Sequence, residues 1–467
     1  MVKREKKLLA LLVVLGTSVP VLAQDSKEPP EVTAIRESVP EIKKTLEELR
    51  GLSFTEKVNV AYQTSEEFES FIRKQLDEEI TPEREGKIVR LYSRLGLVPH
   101  GYEMRQKLID LMESQALAHY DPKEDTFYVL KTDLPQEMID PAVLHELGHA
   151  LQDQHFALGD LVEKATEAQE DDRITALRFL FEGEATYLMT AFALKQQGMG
   201  DAMLGPQLRA MGSISRERLS QLEKMQAQMM GESGKTMLAA LEARDEVPLY
   251  IYRTLVDPYY KGAATVAAVM ESGGWKAVDA LYKRPPTSTE QVLHPEKLTG
   301  DRDEPMRVTL PDLSASFGEG FSLAESNCLG EMAMQSVFKE VSGDAALDAC
   351  AGWDGDRVQS YETAGAEKAT TVWFLTWDSK KDAKAFATAY KKLLFKKYDH
   401  GPVKVVDRVV VFQKDGEEHL MTLRDQNVLV VEGAPLDRSR AIMEAALAGA
   451  SLTEEGAAED EDQTELR

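Results

Sequence analysis

The sequence feature that most limits the possible local fold is a pair of histidines four residues apart with a glutamate between them. The run reads Leu144-His145-Glu146-Leu147-Gly148-His149-Ala150. Four residues are about one turn of an α-helix, so both imidazoles project from one face and can meet the same metal ion. Zn²⁺ suits two neutral imidazoles and a carboxylate, and it leaves a fourth position for water. The motif therefore predicts a zinc centre on a helix, with His145 and His149 as ligands.

The surrounding residues support a helix at this position. Asp140 is predicted to be the N-cap and Pro141 the first helical residue, and the helix is predicted to run to about Phe156. Glu146 lies one step around this helix from His145, where it can hold a water molecule without binding the metal.

A tetrahedral zinc site needs a third protein ligand, and the next long helix, predicted over residues 172–197, offers two acids. Glu182 and Glu184 are two residues apart, so on a helix they point roughly 200° away from one another. Only one of them can face the metal. The hydrophobic periodicity of the helix does not decide between them.

The His-Glu-x-x-His helix followed by Glu182-Gly183-x-Ala185 resembles the gluzincin metallopeptidases over about residues 140–195. The resemblance extends more loosely to an exported, bacterial-type group with a similar stretch at residues 286–295. It implies that Glu182, the first acid of the short motif, is the third zinc ligand. It also implies hydrolysis of a peptide or protein substrate by a zinc-activated water, with Glu146 as the general base.

The chain departs from this family at one supporting position. Gluzincins often carry Asp four residues after the ligand Glu, where it orients a histidine, and this chain has Thr186 there. Asp153 and Glu184 are the alternatives for that role. A hydrogen-bond donor to the developing oxyanion is also expected. The candidates are His294, Tyr260 and Tyr187, with His294 first because it lies in a loop after a glycine-broken helix, although a histidine there can equally serve to pack the loop.

A second interpretation is a zincin-derived zinc-binding or assembly protein without protease activity. Glu146 distinguishes the two interpretations, because a purely structural zinc site has no need of a general base. Its presence favours catalysis.

The N-terminus predicts export. Lys3, Arg4, Lys6 and Lys7 precede an apolar run, and a small-residue exit follows at Val21-Leu22-Ala23. Residues 1–23 are therefore interpreted as a signal peptide, and the mature protein is expected to be periplasmic or secreted. No later segment is apolar enough to cross a bilayer, so no stable membrane span is expected after cleavage. An oxidising compartment favours a disulfide between Cys328 and Cys350.

Net charge limits the expected partners, and the order of helical and strand segments predicts the domains. The formal net charge of −25 argues against nucleic acid as a partner. The fold class is predicted to be α+β. Residues 24–303 form a mostly helical zincin-like domain with a small sheet, residues 304–450 form a smaller α+β accessory domain, and residues 451–467 form a disordered acidic tail.

Overall fold

The structure, a computed structural model, describes residues 13–15, 29–121, 123–130, 136–231, 234–399 and 403–454. Over these residues the chain is α+β, with helices predominating up to about residue 300 and an antiparallel sheet beyond it. The helices are α1 (Pro30–Arg50), α2 (Ser65–Glu79), α3 (Pro82–Leu95), α4 (Met104–Gln115), α5 (Gln136–Phe156), α6 (Leu158–Glu167), α7 (Asp171–Gln196), α8 (Leu204–Gly212), α9 (Arg216–Met229), α10 (Gly234–Glu246), α11 (Leu249–Lys283), α12 (Thr289–Leu293), α13 (Ser314–Phe317), α14 (Gly330–Ser342), α15 (Lys380–Lys397) and α16 (Ser439–Gly449). The strands are β1 (Val13–Leu15), β2 (Asn59–Tyr62), β3 (Ala116–Asp121), β4 (Thr126–Val129), β5 (Met306–Thr309), β6 (Ser322–Asn327), β7 (Trp353–Glu362), β8 (Thr370–Trp377), β9 (Val403–Val406), β10 (Val409–Lys414), β11 (Glu417–Arg424), β12 (Asn427–Pro435) and β13 (Ser451–Glu454).

The N-terminal part packs a small sheet and helix α1 against helix α5. The sheet has the order β1-β3-β4-β2, in which β3 and β4 form an antiparallel hairpin and β2 joins β4 in parallel. One apolar cluster joins α1, this sheet, α5 and the C-terminal half of α7. Helix α1 contributes Ile35, Val39, Ile42 and Leu46, whose three- and four-residue spacing places them on a single helix face.

Helices α5, α7 and α11 form the central layer of the helical part, with α7 packed between the other two. Helix α11 is interrupted at Gly273 and Gly274, as the glycine pair predicted. Gly274 has φ 62° and ψ −160°, a conformation that side chains with a Cβ rarely adopt. The interruption lets one long segment pack along both α7 and the end of α1.

The C-terminal part is a seven-stranded antiparallel sheet with the order β6-β7-β8-β12-β11-β10-β9. Alternate residues of β8 enter different cores because side chains of a strand alternate between its faces. Trp373 and Leu375 pack with α14 and α15, whereas Val372 and Phe374 pack with α13 and α16. Both faces of the sheet are therefore covered by helices, and the predicted fold class is confirmed.

The larger of these cores crosses from one part of the chain to the other. It contains Tyr92 of α3, Tyr250 and Val256 of α11, and Trp373 of the seven-stranded sheet. The helical part and the sheet are thus joined by apolar packing across the predicted boundary at residues 303 and 304.

Several local predictions need correction. Helix α5 begins at Gln136, so Asp140 is not its N-cap; Pro141 lies inside it, where its fixed φ is compatible with a helix and only one backbone hydrogen bond is lost. The predicted disordered tail begins with β13, because Leu452 pairs with Val308 of β5 and packs on a core. Residues 455–467 of that tail lie outside the described part.

The sheet also takes up segments whose local pattern predicts something else. Residues 323–341 have a helical pattern, but residues 322–327 form β6, and only the remainder is helix α14. Residues 352–357 are rich in Gly and Asp, which is typical of a turn, but Trp353 already begins β7. In both segments the pairing with neighbouring strands outweighs the local pattern.

The predicted disulfide is wrong, since Cys328 and Cys350 are free thiols. The Sγ of Cys328 lies 3.5 Å from Oδ1 of Asp356, whereas Cys350 is buried in the apolar core beside α14. The two side chains therefore have different partners. Burial raises the pKa of both thiols well above the ordinary value, which keeps them protonated and weakly reactive.

The predicted signal peptide lies mostly outside the described residues. Its segment Val13–Leu15 is described and pairs antiparallel with β3. No helix in the described part of the chain has the length and apolar character needed to cross a bilayer.

Candidate metal centre

His145, His149 and Glu182 converge at one point between α5 and α7. The Nε2 atoms of the two histidines are 3.0 Å apart, and Oε2 of Glu182 lies 3.2 Å from Nε2 of His145 and 3.4 Å from Nε2 of His149. One ligand atom from each residue lies within 4.8 Å of the others. The structure therefore brings together the two histidines of the motif and the acid that the resemblance selected.

These separations fit a single small cation. A tetrahedral ion with bonds of about 2.0–2.1 Å holds neighbouring ligand atoms about 3.3–3.4 Å apart. Both nitrogen–oxygen separations are close to that value, and the two nitrogens are slightly closer together. Oε1 of Glu182 and Nδ1 of His145 are buried and have no hydrogen-bond partner among the described residues. The donor set, two imidazoles and one carboxylate, is one that zinc accepts.

The helix geometry explains how the two histidines reach the same point. One turn of α5 separates them, and their rings meet edge to face with centroids 4.7 Å apart. On its other side α5 presents Leu144, Leu147 and Leu151 to the cluster that includes α1. This division of apolar and metal-binding faces fixes the rotation of α5 about its axis.

Glycines permit the close approach of the neighbouring helices. A Cβ on Gly183 of α7 would lie 2.4 Å from the backbone carbon of Gly262 on α11, and a Cβ on Gly148 would meet Ala185 of α7 at 3.6 Å. Only glycine allows the α7–α11 crossing at this distance. The glycine next to Glu182 therefore sets the separation of the helices around the site.

Gln152 orients His149 and was not anticipated from the sequence. Its Oε1 lies 2.9 Å from Nδ1 of His149, and its Nε2 donates to the carbonyl of Phe181 at 3.0 Å. Because Nε2 is fixed as a donor to Phe181, Oε1 accepts from Nδ1–H of His149. The lone pair of His149 Nε2 then faces the site. The signal that could have revealed Gln152 is its position three residues after the second histidine, on the same helix face.

The electrostatics of the centre favour an ionised carboxylate. Burial alone raises the pKa of Glu182, but the hydrogen bonds and charges of His145 and His149 outweigh it and lower that pKa to about 2. Burial lowers the pKa of His145. Burial also opposes protonation of His149, but the hydrogen bonds and charges of Glu182, together with the charge of Glu146, raise its pKa overall.

Glu146 and Tyr259 complete the surroundings. Glu146 is fully buried, and its charge acts on both His149 and Tyr259. The Tyr259 ring stacks on His145 with centroids 5.7 Å apart and an interplanar angle of 15°. Burial, followed by the charge of Glu182, raises the pKa of Tyr259 well above its ordinary value, so the phenol keeps its proton. Tyr259 is a further residue that sequence reasoning missed, since the sequence pointed to its neighbour Tyr260.

Glu184 has a different role from Glu182. Its Oε1 accepts a hydrogen bond from Nε of Arg50 at 2.5 Å, and its Oε2 accepts one from the Tyr282 hydroxyl at 2.6 Å. Both oxygens are therefore engaged on the side of α7 that faces α1 and the end of α11. The two acids point to opposite sides of the helix, as their spacing predicted.

The other proposed supporting residues, Asp153 and Thr186, differ in their surroundings. Asp153 accepts a hydrogen bond from the backbone N–H of Leu158, at the start of α6. Thr186 is buried, and its hydroxyl has no hydrogen-bond partner among the described residues. Gln152 supplies the interaction that these positions were expected to provide.

The predicted oxyanion donors also have other partners. His294 interacts through Nε2 with Glu331 at 3.0 Å, and its pKa is raised by that hydrogen bond. The Tyr260 hydroxyl donates to Glu223 at 3.4 Å, and the Tyr187 ring packs edge to face on Trp275. Tyr259 stacks on a histidine of the centre and also interacts with Glu182, and is the better placed donor.

A second group of acids has the spacing of a cation site but already surrounds a cation. Glu290, Asp303 and Asp378 lie close together. The Nζ of Lys297 lies 2.7 Å from Glu290, 2.6 Å from Asp303 and 3.3 Å from Asp378. The ammonium group stands where a metal would bind, so this group is an ion-pair cluster that links the helical part to the seven-stranded sheet.

Comparisons with known proteins find one family match and one distantly similar solved structure. A family model described as "Domain of unknown function (DUF8575)" matches residues 320–443, which contain the seven-stranded sheet. A search of curated proteins finds no match. Among solved structures, one titled "Crystal structure of a putative hydrolase with a novel fold from Chloroflexus aurantiacus" is 14% identical with a TM-score of 0.36, and the alignment covers 59% of this chain and 91% of that chain.

Proposed function

We propose that this protein is a zinc-dependent hydrolase of peptide bonds. The observation that carries the proposal is the set of separations of 3.0–3.4 Å between His145, His149 and Glu182, with the carboxylate of Glu146 buried beside them. Such separations suit three ligands of one tetrahedral ion, and zinc with two histidines and a glutamate is a catalytic ligand set.

Each residue has a distinct role in the proposed reaction. His145, His149 and Glu182 would hold the ion, and Gln152 keeps the Nε2 lone pair of His149 directed into the site. A bound Zn²⁺ supplies Lewis acidity to a water molecule and to the carbonyl group that is attacked. Glu146 accepts a proton from the attacking water and returns it to the leaving amine. Tyr259 keeps its proton at neutral pH and so can donate a hydrogen bond to negative charge that develops nearby.

The buried carboxylate of Glu146 favours a catalytic zinc site over a purely structural one. A buried carboxylate is costly unless it serves a compensating interaction. Glu146 is fully buried, and its charge acts on both His149 and Tyr259, which supports a role within the centre. A general base has to occupy that location.

One observation favours a second candidate, a closed zinc site that supports structure or assembly. His145, Glu146, His149 and Glu182 are each no more than 1% exposed. A peptide could reach them only if helices around the site moved apart, and catalytic sites keep a position open to substrate. The two candidates share the ligands and differ in whether any peptide is cleaved.

The proposal includes the protein's location outside the cytoplasm and the class of its substrate. The basic start and apolar run at residues 3–15 support export to the periplasm or beyond, with a peptide or protein as the substrate.

Metal analysis combined with peptide cleavage tests the proposal. The purified chain should contain one zinc ion and should cleave casein or members of a peptide library. A chelator should abolish cleavage, and added Zn²⁺ should restore it. Stoichiometric zinc without cleavage of any peptide would favour the structural candidate, and absence of zinc binding would contradict both.

A further inference from the structure

A cavity of about 140 Å³ lies between the start of α9, the first half of α11 and helix α14. None of the residues of the metal centre lines it. Its floor is buried and includes Tyr252 and Val256 of α11, whereas Ser215 at its edge is exposed to solvent. The cavity therefore combines a partly apolar floor with an opening through which a small molecule can enter.

The charge of the lining is opposite to that of the whole protein. Arg216, Arg253, Lys261 and Lys339 line the cavity, and Asp257 is the one acid among the lining residues. The protein as a whole has a formal net charge of −25. Four cationic side chains around one cavity in so acidic a chain create a local positive potential that attracts anions.

Two of these cations share a single carboxylate. Nε of Arg253 lies 3.0 Å from Oδ2 of Asp257, and Nζ of Lys261 lies 2.7 Å from the same oxygen. The remaining nitrogens of Arg253 donate to the carbonyl of Met332 and to the side chain of Gln335, both uncharged. The carboxylate of Asp257 is therefore shared by two cations, Arg253 and Lys261. Both Arg253 and Asp257 are more than nine-tenths buried.

The other two cations, Arg216 and Lys339, come from α9 and α14, and both act on Glu217 outside the cavity. Arg216 donates to the backbone carbonyls of residues 244, 245 and 247, and its guanidinium lies 4.4 Å from the ring centroid of Tyr252, so these contacts bring no negative charge. Lys339 acts electrostatically on Lys261 and on Glu217 outside the cavity. Burial, with the charges of Arg253 and Lys339, lowers the pKa of Lys261 despite Asp257. A bound anion would relieve that repulsion.

We propose that this cavity binds a small organic anion through a phosphate or carboxylate group. The oxyanion would accept hydrogen bonds from Lys261 and Lys339 at the half-buried edge, and the organic part would lie against Tyr252 and Val256 on the floor. The phenol of Tyr260 and the amide of Gln335 also line the cavity and can supply polar contacts.

Isothermal titration calorimetry on the full chain with its metal tests the site, with inorganic phosphate and citrate as separate probes at constant ionic strength. Lys261→Gln removes one cation and leaves Asp257 paired with Arg253, so the variant should fold. Lys339→Gln is a second, independent variant. Lys276→Gln is the matched control, because Lys276 is an exposed lysine on the same helix α11 and does not line the cavity.

The expected result is saturable binding of one probe per chain, with a dissociation constant at least tenfold weaker in Lys261→Gln and in Lys339→Gln and unchanged in Lys276→Gln. Binding of phosphate alone would assign a phosphate group to the natural ligand, and binding of citrate alone would assign a carboxylate. Failure of both probes to bind at millimolar concentration would overturn the proposal. Equal affinity in the wild type and both cavity variants would do the same.

Discussion

Arg50 at the end of α1 and Glu184 of α7 form a fully buried ion pair. Nε of Arg50 lies 2.5 Å from Oε1 of Glu184, and each side chain is 1% exposed. Arg50 also contacts Asp279 at 2.6 Å and stacks over the Trp275 ring at 4.3 Å. Because Glu184 is two residues from Glu182, this pair ties the N-terminal helix to the segment that carries the third ligand. Helix α1 is thus part of the framework of the metal centre.

Removal of the arginine should destabilise the fold strongly. Arg50→Met leaves the charge of Glu184 buried without its cation, and breaking one partner of a buried pair costs about 3–5 kcal/mol. Urea unfolding measures the free energy of unfolding. Lys44→Met is the control, because Lys44 is exposed on the same helix, and it should change stability by less than about 0.5 kcal/mol. Equal stability of the two variants would contradict the role assigned to Arg50.

Contact between α7 and α11 should depend on glycine at one position. In Gly183→Ala the new Cβ would lie 2.4 Å from the backbone carbon of Gly262, which cannot move aside as a side chain can. We expect the free energy of unfolding to fall by about 1–3 kcal/mol and metal binding to weaken, because the helix carrying Glu182 is displaced. Gly200→Ala provides the comparison, since a Cβ at Gly200 meets nothing within 4 Å. Thermal unfolding and metal titration of both variants check this prediction.

The two acids of α7 should respond oppositely in metal binding. Glu182→Gln replaces a ligand oxygen by a neutral amide, so zinc affinity should fall by at least tenfold. Glu184→Gln should retain zinc and lose stability, because its carboxylate pairs with Arg50 and accepts from Tyr282. Competition with a zinc-sensitive dye measures both affinities. Zinc loss in Glu184→Gln together with full retention in Glu182→Gln would show that the ligand assignment is wrong.

Buried His119 should make the protein sensitive to acid. Burial lowers its pKa to about 3, and its ring is 2% exposed and stacked on Tyr128. The folded chain keeps His119 neutral, whereas the unfolded chain takes up a proton below about pH 6.5. The stabilisation from His119 is therefore present above pH 6.5 and is lost at about 1.4 kcal/mol per pH unit as the pH falls toward 3.

Denaturant unfolding at several pH values tests this dependence. His119→Phe should lose stability less steeply than the wild type between pH 6.5 and 4, with a difference of about 3 kcal/mol accumulated over that range. His100→Phe alters an exposed histidine and should keep the slope of the wild type. Parallel pH profiles of His119→Phe and the wild type would refute the prediction.

The sequence predicted what depends on local spacing. The four-residue step between His145 and His149 and the opposite directions of Glu182 and Glu184 follow from helix periodicity, and the structure has both of them. The choice of Glu182 came from the resemblance, and the convergence of its oxygen on the two histidines agrees with it.

The remaining features depend on contacts between distant segments. Tyr259 reaches His145 only when α5 and α11 pack together, and Gln152 is fixed as an acceptor for His149 only through its bond to Phe181 of α7. Strands β6 and β7 form because neighbouring strands pair with them. The predicted disulfide between Cys328 and Cys350 rested on the expected oxidising compartment alone. The compartment carries no information on where the two side chains lie.

Peptide turnover of Glu146→Gln, measured together with zinc content, shows whether Glu146 is the general base of a zinc-dependent hydrolase. The amide keeps the shape of the side chain but cannot accept a proton. Glu167→Gln, at an exposed position on α6, is the matched control. We predict one zinc ion per chain in both variants, wild-type turnover in Glu167→Gln, and a loss of at least ~10²-fold in Glu146→Gln. Undiminished turnover in zinc-loaded Glu146→Gln would contradict the account.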